Sequence, residues 1–379
     1  MAMITVPGAN GTIVSNNFSG AGNTALALNI STALAGLQAG GTLTVSSVPG
    51  GGAAPAAALL GTNELEITSG GVVNVPAGYA FVADGSGNAN LSITGGSSFF
   101  GGDGNIAYTN NGNGAASITA GNGNDLFNLS GTYTVAAGSG FDQYNLSGTG
   151  QVSLGGGSNL VSIPGGADTI FAAANPGSTG IAASNGSIFF YAGNSSSQVL
   201  GVVAGGSGGS TVVGGANNVL VYTGSGGNPG ALIVAGAGNE TLFGAASPSN
   251  DQYWGSFNGG NDLMAAGSGN DALVAGSGQD SLIGGSGNDT FYAINSQLLS
   301  TIINTPVSPG VDFLYNTHAG ETLALTGFDT LYGAANSGAA ANAVKVALAG
   351  GGSTVTLKDG TEINFASPTH ANGINIISS

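Results

Sequence analysis

Cysteine and arginine are absent from this chain of 379 residues, and lysine occurs only twice, at Lys345 and Lys358. The absence of cysteine excludes disulfide bonds and thiolate-ligated zinc. The two lysines are set against 18 acidic residues, which gives a formal net charge of −16 at pH 7. So little basic charge cannot neutralise the phosphates of a nucleic acid or an anionic membrane surface. We therefore expect no nucleic-acid partner.

Long apolar runs are also lacking. No stretch approaches the roughly 18 consecutive apolar residues of a membrane-spanning helix, so we expect no membrane insertion. Residues 1–8, MAMITVPG, contain neither a basic segment nor a long apolar core, and the sequence therefore predicts no N-terminal signal peptide. If the protein is exported, its export signal is expected elsewhere in the chain.

Glycine is abundant instead. The chain contains 73 glycines, about 19% of its residues, where roughly 7% is usual. Hydrophobic residues make up 41%, enough to form a core, but charged residues make up only 5%. The surface is therefore expected to consist of Asn, Ser, Thr and Gly rather than of mixed charges, which leaves it weakly protected against association.

One segment, residues 24–38, has the pattern of an α-helix. Asn23 is suited to cap its N-terminus, and Gly40 and Gly41 are suited to end it. Its apolar residues recur at helical spacing and form one stripe, made of Leu26, Ile30, Leu34 and Leu37. Two interpretations remain open, a helix that caps the end of a sheet and a helix that docks another subunit.

Short strands between glycine turns dominate from residue 42 onward. Apolar and polar residues alternate, as they do in half-buried strands, in the segments 42–45, 65–68, 72–75 and 91–94. The apolar segment 53–60 is compatible with a loop or with a loose helix. The pattern as a whole predicts an all-β fold with a small helical cap at the N-terminus.

An internal nonapeptide repeat is the most informative feature of the sequence. Its four acids end glycine-rich turns at a constant nonapeptide spacing: Asp262, Asp271, Asp280 and Asp289. A large apolar residue follows each acid two positions later: Met264, Leu273, Leu282 and Phe291. The same turn occurs at Asp125 and Asp142, whose separation is close to two nonapeptides. Imperfect copies end at Asn159, Glu240 and Asp251.

These turns resemble the RTX nonapeptide G-G-x-G-x-D-x-U-x of hemolysin-type calcium-binding proteins, in which U is a large apolar residue. Residues 284–292 match every position. The other three tandem copies match the acid, the second turn glycine or its neighbour, and the apolar position. The resemblance implies a parallel β-roll or β-solenoid in which two nonapeptides complete one coil. Turns two repeats apart then stack, which places Asp262 over Asp280 and Asp271 over Asp289.

The resemblance also implies Ca²⁺ as the cofactor, because Ca²⁺ takes six to eight oxygen ligands and stacked turns supply carboxylates and carbonyls. The implied metal-binding residues are Asp262, Asp271, Asp280, Asp289, Asp125, Asp142, Gly267, Gly269, Gly276, Gly278, Gly285 and Gly287. The alternative is that these are good turn formers without metal, but bare stacked carboxylates would repel each other. For Asp168, Glu240 and Asp251, whose turns depart from the motif, we expect metal-free turns.

The chain divides into five predicted segments. Residues 1–60 form the N-terminal cap, residues 61–180 a β-solenoid with scattered calcium-type turns, residues 181–235 a metal-free solenoid, residues 236–295 the calcium β-roll, and residues 296–379 a C-terminal β cap. Within the last segment, residues 353–365 have the pattern of a hairpin about an Asp-Gly turn. This region resembles the uncleaved C-terminal signal of type I secretion, which implies a protein that folds in extracellular calcium.

No residue pattern predicts catalysis, and we expect the protein not to be an enzyme. Residues 205–209 fit G-x-S-x-G but lack the strand–turn–helix context of a nucleophile elbow. His318 and His370 do not form a zinc-protease motif. Glu64 and Glu66 alternate on one strand face and are expected to be solvated.

The sequence favours a secreted, calcium-stabilised structural protein that self-assembles into a surface layer, filament or extracellular matrix, as a homo-oligomer or polymer. The main alternative is an adhesin that binds ice or a cell-surface polysaccharide through regular Thr-x-Thr ladders, of which residues 42–44 are a fragment. Trp254, with Tyr253 and Phe257, fits either core packing or a sugar-stacking platform. An enzyme with acids in a solenoid cleft is a third hypothesis.

Overall fold

The computed structural model describes residues 2–18, 21–85, 87–111, 114–172, 177–193, 201–204, 208–216, 220–222, 230–244, 248–293, 301–304, 311–315, 322–325, 328–332, 338–366 and 373–379. The chain forms two compact units, Met1–Phe190 and Tyr191–Ser379.

The first unit contains one helix, a short 3₁₀ turn (Ala9–Gly11) and most of the strands. Its elements are β1 (Ala2–Pro7), β2 (Ile13–Phe18), α1 (Ala21–Ala39), β3 (Leu43–Val48), β4 (Thr62–Ile67), β5 (Gly71–Val75), β6 (Phe81–Asp84), β7 (Ala89–Ile93), β8 (Ser97–Phe100), β9 (Ala107–Asn110), β10 (Ala115–Thr119), β11 (Leu126–Leu129), β12 (Thr132–Ala136), β13 (Phe141–Leu146), β14 (Thr149–Ser153), β15 (Ser158–Ile163), β16 (Ala167–Phe171), β17 (Thr179–Ala183) and β18 (Ser187–Tyr191).

Successive strands of this unit alternate between two parallel sheets. Even-numbered strands from β4 to β18 form one sheet, which β3 extends at its first strand, and odd-numbered strands from β5 to β17 form the other. Ala115 pairs with Thr132, and Thr132 pairs with Thr149, so these successive coils have equal length. One coil consists of two strands and two turns.

A thin core fills the space between the two sheets, because alternate residues of each strand point inward. Tyr108, Phe127 and Tyr144 lie side by side on β9, β11 and β13 and are at most 1% exposed. The rings of Phe127 and Tyr144 stack with centroids 5.1 Å apart. Each coil thus stacks its inward side chains on those of its neighbours.

The N-terminal segment covers the outward face of the even-numbered sheet. The antiparallel hairpin β1–β2 and α1 form an apolar cluster with that face, in which Ile30 and Leu34 join Val6, Ala83 and Phe100. The helix therefore lies on the face of the sheet and not across its end, which corrects the capping interpretation. Its bounds exceed the predicted 24–38 at both ends, and residues 53–60 form an irregular loop.

The N-terminal segment also buries two acids that were expected to be solvated, Glu64 and Glu66. Glu64 is 0% exposed and Glu66 is 9% exposed, because they lie on the outward face of β4, beneath the N-terminal segment. The backbone N–H of Ala9 donates to Glu66 Oε2 at 2.8 Å. Burial, together with the charge of Glu66, raises the pKa of Glu64 to about 8. Neither carboxylate is solvated.

The second unit contains β19 (Gly201–Ala204), β20 (Thr211–Val213), β21 (Leu220–Tyr222), β22 (Leu232–Val234), β23 (Thr241–Phe243), β24 (Gln252–Trp254), β25 (Leu263–Ala265), β26 (Ala272–Ala275), β27 (Ser281–Ile283), β28 (Thr290–Ala293), β29 (Thr301–Asn304), β30 (Val311–Tyr315), β31 (Thr322–Leu325), a 3₁₀ turn (Phe328–Tyr332), α2 (Ala339–Ala349), β32 (Thr354–Thr356), β33 (Glu362–Phe365) and β34 (Asn375–Ser378).

This unit is also a parallel solenoid with two sheets. Leu263 pairs with Ser281, and Ala272 pairs with Thr290, so one coil here consists of two nonapeptides. The hairpin predicted for residues 353–365 is formed by β32 and β33, which pair antiparallel, and β34 closes the odd-numbered sheet beside β31. The all-β parallel solenoid with a small N-terminal helix is confirmed, and α2 is a second helix that was not predicted.

Candidate metal centre

The four tandem acids stack in two ladders inside the second unit. The backbone N–H of Asp262 donates to Asp280 Oδ1 at 2.9 Å, and that of Asp271 donates to Asp289 Oδ1 at 3.0 Å. All four residues are at most 2% exposed. The predicted stacking, Asp262 with Asp280 and Asp271 with Asp289, is therefore confirmed.

Both ladders continue beyond the tandem repeats. The N–H of Glu240 donates to Asp262 Oδ1 at 2.8 Å, and the N–H of Asp251 donates to Asp271 Oδ1 at 2.7 Å. At the other end, the N–H of Asp289 donates to Asp312 Oδ1 at 3.1 Å. Sequence reasoning missed Asp312, because the chain between it and Asp289 is longer than two nonapeptides and the repeat spacing is lost. The one sequence feature that could have pointed to Asp312 is the strand pattern around it.

The asparagines that precede these acids form an outer ladder with the opposite direction. The N–H of Asn270 donates to Asn250 Oδ1 at 2.9 Å, and the N–H of Asn288 donates to Asn270 Oδ1 at 2.9 Å. These asparagines are exposed. The Asn-Asp pair of each turn thus binds the coil on one side through its amide and the coil on the other side through its carboxylate.

The turn glycines lie where successive coils approach most closely. A Cβ at Gly278 would lie 1.5 Å from the carbonyl oxygen of Gly260, and one at Gly287 would lie 1.8 Å from that of Gly269. The predicted residues Gly269, Gly276 and Gly285 have the same kind of contact, at 1.9, 1.9 and 2.0 Å, and the carbonyl met by Gly285 is that of Gly267. Only glycine allows the carbonyls of stacked turns to converge in this way.

Burial makes the charged form of these acids unfavourable. It raises the pKa of Asp271 to about 7, with a further contribution from the neighbouring Asp289 and Asp251 charges. Burial likewise raises the pKa of Asp289 to about 7 and that of Asp280 to about 6. A cation would remove this penalty, because an adjacent positive charge favours the ionised carboxylate.

Two buried carboxylate oxygens in the ladders accept no hydrogen bond, Asp271 Oδ2 and Glu240 Oε2. Among the residues that the structure describes, no three Asp, Glu, His or Cys side chains come together as a metal-binding group. An all-oxygen donor set with paired carboxylates fits Ca²⁺. When bound, Ca²⁺ neutralises the stacked carboxylates and ties two coils together.

The turn that ends at Asn159 has a side-chain amide instead of a carboxylate. It stands in the place of the acid in its turn and is 3% exposed. Its Nδ2 donates to the carbonyl oxygens of Gly157 and Gly155, at 3.0 and 3.3 Å. In this turn the side-chain amide therefore supplies a donor to the turn carbonyls, where an aspartate turn would need a cation.

The earlier pair, Asp125 and Asp142, forms a similar ladder in the first unit. The N–H of Asp125 donates to Asp142 Oδ1 at 3.1 Å, and the N–H of Ile106 donates to Asp125 Oδ1 at 2.9 Å. Burial raises the pKa of Asp125 to about 8, and Asp142 contributes through its charge. Asp125 Oδ2 is buried without a hydrogen bond. The prediction that these acids lie together is confirmed.

The other candidate sites are not assembled in the described part of the chain. Tyr253 points inward and is 0% exposed, whereas Trp254 lies on the outward face and contacts Phe257, with ring centroids 6.2 Å apart. The three residues therefore form no common platform. His318, His370 and residues 205–207 lie outside the described residues.

The fold and the turns together define a parallel β-solenoid whose stacked aspartate turns can hold calcium. Residues 258–291 match the RTX calcium-binding nonapeptide repeat in four copies. The chain therefore carries RTX calcium-binding repeats, and Ca²⁺ is the ion that they bind. No curated protein and no solved structure matches the chain. Among the described residues, no helix has the length and apolar character needed to cross a membrane.

Proposed function

We propose that this protein is a secreted, calcium-stabilised structural protein whose copies assemble through one outward sheet face of the second unit. Calcium-binding repeats on a β-solenoid fit a secreted structural or adhesin-like protein. The composition supports assembly, because a surface with 5% charged residues offers little protection against association.

The observation that carries the proposal is an outward row of valine and aromatic side chains on the even-numbered sheet of the second unit. Val274 in this row is 5% exposed and the other five are half-buried. Because the neighbouring residues Val212, Ile233, Tyr253, Leu273, Phe291 and Leu314 point into the core, this row points outward. Its members pair in register across six strands: Val213, Val234, Trp254, Val274, Tyr292 and Tyr315. The rings of Tyr292 and Tyr315 stack at 4.9 Å.

The corresponding face of the first unit has a different composition. Its outward rows contain Ser117, Thr134, Gln151 and Thr169 in register. These four positions of the first unit therefore carry no apolar row, although Phe189 on β18 of that unit is 42% exposed. Sheets with apolar outward faces pack on one another at about 10 Å, and large contiguous apolar patches mark interaction sites.

A second copy of the chain is the partner that fits this face. At a net charge of −16, copies repel each other as whole molecules, and a contact through this row adds no closer repulsion because the row contains no charged residue. Calcium supports association in two ways. It folds the coils that carry the row, and it reduces the negative charge of each copy.

The test is negative-stain electron microscopy in calcium and in chelator. We expect the wild type to form sheets or fibres only in calcium, and Tyr292→Glu to remain dispersed in calcium. The matched control Gln151→Glu places the same charge on the outward face of the first unit and should assemble like the wild type. A wild type that stays dispersed in calcium, or a Tyr292→Glu variant that assembles normally, would contradict the proposal.

We also propose export by type I secretion, with the signal in the C-terminal segment. In the folded protein, Ser378 is part of β34, and its Oγ donates to Asp329 Oδ1 at 2.7 Å. Export would therefore require an unfolded chain, which low cytosolic calcium favours. Deletion of residues 353–379 should retain the protein inside the producing cell, whereas Asp103→Asn should not.

A binding function is a second candidate, favoured by one groove of the second unit. Tyr191 and Phe257, which are 44% and 53% exposed, line a groove of about 230 Å³ together with Asn258. Aromatic faces beside an amide suit a sugar ring. The regular Thr-x-Thr ladder expected of an ice-binding face is only fragmentary, since Thr132 and Thr134 are followed in register by Thr149 and Gln151. Retention on polysaccharide columns, abolished by Phe257→Ala, would favour this function.

A further inference from the structure

Two acids of the ladders are followed two positions later by tyrosine, and in both cases the tyrosine hydroxyl reaches the acid. Both occur in the sequence Asp-Gln-Tyr. Tyr253 Oη donates to Asp251 Oδ2 at 3.1 Å, and Tyr144 Oη donates to Asp142 Oδ2 at 3.5 Å. Both tyrosines are at most 1% exposed. The second carboxylate oxygen of each of these acids therefore has a hydroxyl partner.

The neighbouring acids in the same ladders lack that hydroxyl. Asp271 is followed by Leu273, which pairs with Tyr253 in the sheet, and Asp125 is followed by Phe127, which pairs with Tyr144. The Oδ2 atoms of Asp271 and Asp125 are buried and accept no hydrogen bond. The ladder of Asp251 and Asp271 and the ladder of Asp125 and Asp142 thus each contain one acid that a tyrosine reaches beside one acid with a bare oxygen. The third ladder differs, because the backbone N–H groups of Ser256 and Gly276 donate to its aspartate Oδ2 atoms at 2.6 and 2.7 Å.

A third buried acid has a tyrosine partner from another strand, although its second oxygen, Asp168 Oδ2, is buried without a hydrogen bond. Asp168 lies outside the tandem repeats and is 3% exposed, and Tyr133 Oη donates to its Oδ1 at 2.5 Å. Room for this contact exists because Gly150 lies between them in the sheet, and a Cβ there would lie 2.1 Å from the Tyr133 ring. The metal-free turn predicted for Asp168 therefore has a specific partner.

Two turn glycines show where the ends of the inward aromatic side chains lie relative to the turns. A Cβ at Gly244, which directly follows β23, would lie 2.4 Å from Tyr253 Oη. A Cβ at Gly284, which directly follows β27, would lie 2.4 Å from Asp289 Oδ2 and 2.9 Å from Phe291 Cζ. A hydroxyl added at Phe291 Cζ would therefore meet the Asp289 carboxylate, as the hydroxyl of Tyr253 meets Asp251.

We propose that a tyrosine two residues after the acid completes its turn with a hydroxyl proton. At Asp125 and Asp271, where an apolar side chain stands at that position and the buried Oδ2 atom has no donor, a calcium ion completes the turn. A buried carboxylate needs a donor or a cation for each oxygen, and the tyrosine hydroxyl supplies the donor within the same strand. The turns of Asp142 and Asp251 are then complete without calcium, and those of Asp125 and Asp271 require it. Tyr144 and Tyr253 thereby limit the number of calcium ions in the array.

The test uses single-oxygen changes in the full-length chain and counts bound calcium by equilibrium dialysis with atomic absorption. Tyr253→Phe removes the hydroxyl from Asp251 and should raise the calcium bound per chain by about one ion. Phe127→Tyr adds a hydroxyl near Asp125, whose Oδ2 has no donor, and should lower it by about one ion. Tyr79→Phe is the matched control and should change nothing, because the hydroxyl of this buried tyrosine donates to the Pro55 carbonyl at 3.0 Å.

Circular dichroism in calcium checks that each variant is folded. If Phe127→Tyr does not fold, Phe291→Tyr replaces it, because it places the same hydroxyl near Asp289. The proposal requires that removal of a tyrosine hydroxyl raises the calcium count and that addition of one lowers it. Unchanged calcium counts in both variants, a change in only one of them, or an equal change in Tyr79→Phe would overturn it.

Discussion

Replacement of Asp271 by asparagine separates the two effects that this carboxylate has on stability. The side chain is 2% exposed, and burial raises its pKa from 3.8 to about 7. Since a tenfold change in proton affinity is worth about 1.4 kcal/mol, the ionised carboxylate costs the calcium-free fold up to about 4 kcal/mol at pH 8. Asparagine removes that cost. Asn159 provides the precedent for the amide, which there donates to two turn carbonyls.

In calcium, the same substitution removes a ligand. A site with an affinity of about 10⁻⁴–10⁻³ M stabilises the fold by about 1.4–2.7 kcal/mol at 10 mM calcium. Asp271→Asn should therefore be more stable than the wild type in chelator, and it should gain less stability when calcium is added. Urea unfolding followed by circular dichroism, with and without calcium at pH 8, measures both differences.

The control is Asp103→Asn, which changes the net charge equally. Asp103 is exposed, and its Oδ1 accepts the N–H of Asn122 at 2.7 Å, a contact that asparagine retains. Its stability should follow the wild type in both conditions. Lower stability of Asp271→Asn in chelator would refute the desolvation reasoning, and an undiminished gain from calcium would refute the assignment of Asp271 as a ligand.

Three further predictions concern packing and pH. Gly278→Ala should destabilise the calcium-loaded fold by about 2 kcal/mol or more, since its Cβ would lie 1.5 Å from a backbone oxygen, whereas Gly165→Ala, with nothing within 4 Å, should be neutral in urea unfolding. In chelator, the acids with raised pKa stabilise the fold fully below about pH 4 and progressively less as the pH rises to about 8, so the melting temperature should fall over that range; a rise would contradict the burial of these charges. Glu64 has a pKa of about 8 and lies outside the calcium turns. Calcium-saturated protein should therefore still lose stability as the pH rises to about 8, and Glu64→Gln should reduce that loss.

Much of this architecture follows from residue spacing alone. The nonapeptide spacing of the acids fixes the coil at two repeats, and a coil of constant length places Asp262 beside Asp280 whatever the rest of the chain does. The need for glycine in the turns also follows from the repeat, because the close approach of stacked carbonyls leaves no room for a Cβ. The stacked pairs could therefore be predicted from the spacing, whereas the fold and the ion were implied by the resemblance to the RTX repeat.

Contacts between coils of unequal length could not be predicted. Asp312 joins its ladder from a coil longer than two nonapeptides. The outward row from Val213 to Tyr315 likewise depends on register steps that differ from one strand pair to the next. A slip of a single position would turn each of these side chains to the other face of the sheet. Spacing alone does not fix such a register.

The burial of a strand face beneath segments distant in the chain is the other property that only the tertiary structure decided. Glu64 has the alternation of a solvated strand face, yet β1, β2 and α1 cover that face and bury it. The Tyr-Asp pairs likewise depend on which side chains meet inside the coil. The sequence by itself determined where the chain turns and which ion the turns hold. The tertiary structure decided which acids lose water and which of them a tyrosine reaches, because desolvation and hydrogen bonding depend on neighbours that are remote in the chain.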